Sequence, residues 1–112
     1  MKIFLIRQQL EEIDSRIHTI EQLPQISDET QTELHKLQAD QKKAEKALAW
    51  EAKQIRKELG YTQTDMAELL GYGGQKDVSR IETGKRRMSN QVVAHLSTIQ
   101  DYYLPLLNVK KD

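Results

Sequence analysis

From Asp28 to Leu59 the chain contains neither glycine nor proline. Read as one element, that run is a helix about 48 Å long at ~1.5 Å per residue. The residues before it carry the same message. Ile3, Ile6, Leu10, Ile13, Ile17 and Ile20 recur at gaps of 3, 4, 3, 4 and 3, the a/d repeat of a helix that packs lengthwise on another. Leu23-Pro24 ends this first helix, because proline donates no hydrogen bond and disfavours helical geometry in its predecessor. "PQISDET" is then a connector. Either Ser27 or Asp28 caps the long helix, and Asp28 and Glu29 suit its positive end. So short a connector makes the two helices antiparallel neighbours.

The facing seam, Leu34, Leu37, Gln41, Ala44, Leu48, Glu51 and Ile55, is interrupted by Gln41 and Glu51. A strong stripe thus meets a weak one, and two helices alone bury too little to be stable. The isoleucine stripe needs a further partner, a second subunit or the C-terminal half. The expectation is a coiled-coil-like hairpin over residues 1–50, with Ile3, Ile6, Leu10, Ile13, Ile17 and Ile20 forming a homodimer interface. Trp50 is placed where the hairpin packs on the second half.

Composition narrows the function. There is no cysteine, so neither disulfides nor a thiolate metal site. No apolar run approaches the ~18 residues of a membrane span, and the N-terminus lacks the pattern of a signal peptide; the expected location is cytoplasmic. His18, His35 and His95 are scattered. Asp14 and His18, four apart, read as surface neighbours, so no metal is expected. No nucleophile triad, phosphate-binding glycine loop or paired carboxylates is legible, and neither an enzyme nor a cofactor is indicated. The net charge of zero hides an asymmetry: residues 1–50 carry 7 Lys/Arg and 9 Asp/Glu, residues 51–112 carry 10 and 8. Between residues 75 and 87 five basic side chains stand against two acidic ones, a modest nucleic-acid signal.

The second half, residues 51–112, parses into short helices. One ends at Gly60. "TQTDMAELL" opens with Thr62 and Asp65 in capping-box spacing and stops at Gly71. "QKDVSRIET" has Val78 and Ile81 on one face and Gln75, Lys76, Ser79 and Arg80 on another, and stops at Gly84. Ser89 caps "NQVVAHLSTIQDYY", and "LPLLNV" adds a last apolar turn. Two short helices joined by a glycine turn, the second with a free polar face, make a helix-turn-helix pattern.

At "IRKELGYTQTDMAELLGYGGQKDVSRIETGKR" the chain resembles the XRE family of phage-repressor and Cro-type helix-turn-helix proteins, over about residues 51–103. The resemblance implies an all-α fold of about five short helices after the added hairpin. It implies that Thr62 and Gln63 meet a phosphate at the first helix of the pair. Gln75, Lys76 and Arg80 reach base edges, and Ser79 touches a base or a phosphate. Thr83, Lys85, Arg86 and Arg87 grip the backbone. Arg56 and Glu82 form a structural ion pair. Asp77 is read as capping the recognition helix. One departure stands out: six residues, Tyr72 to Asp77, separate Gly71 from Val78 where the family has five. Gly73 and Gly74 are expected to absorb the extra one.

The function implied is a sequence-specific, double-stranded DNA-binding regulator, a dimeric repressor reading a palindromic operator. The alternative is an antitoxin-like or adaptor module in which the N-terminal hairpin binds a protein partner.

Overall fold

The computed structural model describes residues 2–110, and every regular element among them is helical: α1 (Lys2–Glu21), α2 (Asp28–Leu59), α3 (Gln63–Leu70), α4 (Gln75–Glu82), α5 (Asn90–Thr98) and α6 (Leu104–Lys110). Ser27, not Asp28, caps α2: its hydroxyl accepts from the Thr30 N–H. The helix then runs unbroken across residue 50, the expected domain boundary. α1 lies antiparallel on it, Arg16 bonding Glu33 near the connector and Asp14 meeting Gln41 further along.

Ile3 and Leu10 are fully buried, yet not in a coiled coil. They join Leu48, Ile55, Ile81, Val92, Val93 and Leu96 in one core. α1 therefore supplies a wall of the C-terminal half. Ile17 and Ile20 are also buried, within the hairpin. Only Ile6 and Ile13 remain half-exposed. The expected dimer stripe of Ile3, Ile6, Leu10, Ile13, Ile17 and Ile20 is thus divided. Four of the six are covered inside the chain, because the helix rolls its a/d edge onto α5 as well as α2.

The two interruptions of the facing seam are explained by polar partners, which buried polar groups require. Gln41 donates to the Asp14 carboxylate at 2.8 Å. The buried Glu51 receives the Lys2 ammonium at 3.0 Å and the Gln100 amide at 3.3 Å. Gln100 in turn accepts the Ile3 N–H at 3.1 Å, tying the start of α1 to the C-terminal helix. Trp50 is not the expected packing point: it is 56% exposed, with Lys2 over its ring.

Between α5 and α6, residues Ile99–Tyr103 widen into a π-helical turn. Pro105 lies just beyond it. It has no N–H for the Asp101 carbonyl, and its ring would crowd that carbonyl in a regular helix. The helix continues through the wider turn instead of stopping. Among the described residues no helix is long and apolar enough to cross a membrane.

Candidate nucleic-acid interface

α3 begins on a complete capping box: the Thr62 hydroxyl accepts from the Asp65 N–H, and the Asp65 carboxylate accepts from the Thr62 N–H. Those bonds hold the Asp65 carboxyl below its ordinary value. The box sets where Gln63 emerges. Gly71 closes α3 with φ at 79°, a conformation that disfavours any side chain. Of the three clustered glycines only this one needs it. Neither Gly73 nor Gly74 lies in the left-handed region. Gly74 is extended, and a Cβ there meets nothing within 4 Å. The longer turn is accommodated without a left-handed residue at either position.

Gly74 starts α4 with no side-chain cap. Asp77 does not supply one; its carboxylate accepts from the Arg86 guanidinium at 2.7 Å. Arg86 also lies over the Tyr72 ring, 5.0 Å from its centre. Burial pushes the Tyr72 phenol above its ordinary value. This cluster pins the α3–α4 turn to the loop after α4.

A polar chain joins α2, α3 and α4. Arg56 holds Glu82 through two bonds, 2.7 and 3.1 Å, and caps the Tyr61 carbonyl at 2.9 Å. The Glu82 side chain is only 3% exposed. Gln63 donates to the same carboxylate at 3.1 Å, and Gln75 donates to the Gln63 carbonyl oxygen at 3.0 Å. A buried ion pair thus reaches the surface through two glutamines at the open ends of two helices.

Around them Lys76, Arg80 and Lys85 are exposed and make no salt bridge among the described residues. Ser79 is half-exposed beside them. The Thr83 hydroxyl bonds the carbonyls of Ser79 and Arg80, closing α4. Arg87 differs from its neighbours. Its guanidinium bonds both carboxylate oxygens of Asp14 and approaches Glu45 at 3.4 Å. It locks the loop to the hairpin. Burial raises the Asp14 carboxyl, but the hydrogen bonds of Arg87 and Gln41 more than offset that and leave it below the ordinary value.

Sequence reasoning missed Arg7, which donates to the Met88 carbonyl and to Asn90, orienting the start of α5. It also missed Met88, a buried core residue in a stretch that reads as loop. Neither carries a local signal. Among the described residues no three His, Cys, Asp or Glu side chains gather as metal ligands.

Residues 47–99 match a family model described as a helix-turn-helix domain, consistent with an XRE-type DNA-binding protein. The match covers just under half of the chain and begins inside α2, three residues before Trp50. No curated protein and no solved structure matches the chain.

Proposed function

We propose that the chain is a sequence-specific regulator of transcription that binds duplex DNA as a dimer and represses from a palindromic operator. The observation that carries the reading is the exposed face of α4. Gln75, Lys76 and Arg80 share it, the two cations without a salt bridge among the described residues, over a buried pair that holds Gln63 and Gln75 in place. A preorganised glutamine pairs bidentately with adenine, and arginine or lysine with guanine. Lys85 and Arg86 beyond the helix, and Thr62 and Gln63 at the α3 N-terminus, meet phosphates.

Two recognition helices reading one face of the duplex lie about 34 Å apart. The surface suited to holding them is an open groove of about 560 Å³ between α1 and α2, with Ile6, Ile13, Leu37, Ala44 and Ala47 among its lining. Its rim carries Glu12 and Asp40 with Arg16 and Lys43, both signs on one patch, as a two-fold contact requires. Two hairpins joined there form a four-helix bundle.

Selection from random duplexes tests the reading. An inverted repeat is enriched, and Arg80→Ala costs about 1–3 kcal/mol and relaxes preference at particular bases. Lys85→Ala instead weakens all sequences alike. Enrichment of no motif at low salt and micromolar protein defeats the proposal. Light scattering on Ile13→Glu reports on the groove: persistence of the dimer moves the interface to the exposed Tyr102 and Leu106.

A further inference from the structure

α2 carries a second basic surface outside the helix-turn-helix. Lys42, Lys46, Lys53 and Lys57 fall on one stripe of the helix, at spacings of four, seven and four. Lys42, Lys46 and Lys57 are exposed and Lys53 half-exposed. None has a salt bridge among the described residues.

The stripe is a like-charge arrangement. Lys42 and Lys46 are i, i+4, as are Lys53 and Lys57, a spacing that is repulsive on a helix. The one carboxylate three or four positions from any of them is Glu45, which faces Arg87. Lys36, elsewhere on the helix, has Glu33 and Asp40 at pairing distance in sequence, and Lys43 has Asp40. A face that is only solvated has no reason to gather four unpaired lysines while its neighbours are interleaved with acids.

Its position gives a reason. Ala49 lies in the same stripe, between Lys46 and Lys53. It is buried where α2 shares a small cleft with Gly84, Arg86 and Arg87. The lysines therefore emerge beside the loop that carries Lys85 and Arg86. At ~1.5 Å per residue, Lys46 and Lys42 are about 4 and 10 Å along the helix from that junction.

We infer that the lysine stripe of α2 is a second phosphate-contact surface, continuous with the Lys85–Arg86 loop and engaging the same duplex on base pairs flanking those read by α4. The inference rests on the reading of α4 as a DNA-binding helix. The stripe supplies affinity without sequence preference, since it meets only backbone.

The test measures binding of the intact chain to a mixed-sequence duplex of about 40 base pairs across a salt series, by fluorescence anisotropy. Each phosphate neutralised contributes about 0.9 to the slope of log affinity against log salt. Lys42→Ala/Lys46→Ala should lower the slope by about two per bound protomer, about four for a dimer with both stripes engaged. Lys36→Ala removes a charge from the same helix away from both the stripe and the groove and should leave the slope nearly unchanged. All three positions are at the surface, and circular dichroism verifies that both variants remain helical. An unaltered slope in the stripe variant, or an equal drop per charge removed in both, overturns the inference and leaves the α4 reading standing. Failure of the unsubstituted chain to bind any duplex at low salt overturns both.

Discussion

The helix-turn-helix and the free half of the hairpin hold their surfaces in opposite ways. In the first, every short helix starts or ends on a defined device, and a polar chain from Arg56 to Gln75 crosses three helices. In the second, two long helices are linked by the exposed Arg16–Glu33 pair and by Asp14, and an apolar groove stays open between them. A surface already organised within the monomer is ready for a ligand whose geometry does not change, such as a duplex. An apolar groove left open is suited to closure by another protein surface. α1 belongs to both regions, and its two neighbouring stripe residues separate them: Leu10 is in the shared core, Ile13 in the groove.

That contrast sets the largest expected effect. Leu10→Ala should cost about 3–5 kcal/mol, the range for a fully buried leucine, and hairpin and helix-turn-helix should unfold together in one denaturant transition. Ile13→Ala should cost only about 1 kcal/mol in the monomer. Two separable transitions in the Leu10 variant would show that the hairpin folds independently of the rest.

The next effect falls on the polar chain. Arg56→Ala leaves the Glu82 carboxylate buried with only Gln63 beside it, at a cost of about 3 kcal/mol. Thermal denaturation measures that cost. A loss below 1 kcal/mol would mean that Glu82 reaches water once its partner is gone.

The Arg87 lock is weaker, because its groups are partly exposed. Asp14→Asn should cost at most about 1 kcal/mol near neutral pH. The Asp14 carboxyl is held below its ordinary value. Its contribution is therefore complete above the unfolded carboxylate pKa and disappears as pH falls through the folded value. Stability curves of the two proteins should be separated at pH 7 and converge in acid. A gap that widens on acidification contradicts this assignment.

The smallest effect concerns the turn. Gly74→Ser places a hydroxyl at an N-cap that has none, in backbone any residue adopts, and should stabilise by a few tenths of a kcal/mol. Destabilisation in a urea titration would reveal a need for glycine that the backbone does not express.

Much of this fold is legible along the chain because its determinants are local. The Thr62–Asp65 box, the Ser89 cap and the glycine at the end of α3 act within three or four residues. The run from Asp28 to Leu59 has nothing to break it, and it is one helix. Periodicity likewise shows that α1 has an apolar edge. It carries no label for what covers that edge. Ile3 and Leu10 turn to α5 and the core because Gln100, Glu51 and Arg7 hold α1 there, through contacts up to 97 positions apart.

Arg86 and Arg87 mark the limit most clearly. They are adjacent, identical in chemistry and alike in sequence context. One holds Asp77 across the recognition turn, and the other holds Asp14 from 73 positions away. The sequence by itself determined the helices, the caps of α3 and α5 and the polar face of α4, since each depends on residues a turn apart. Only the tertiary structure decided which isoleucines are core and which are groove, and which carboxylate each arginine holds. Those outcomes depend on which distant carboxylate or apolar wall arrives within reach, and burial and ion pairing act on distance in space, not along the chain.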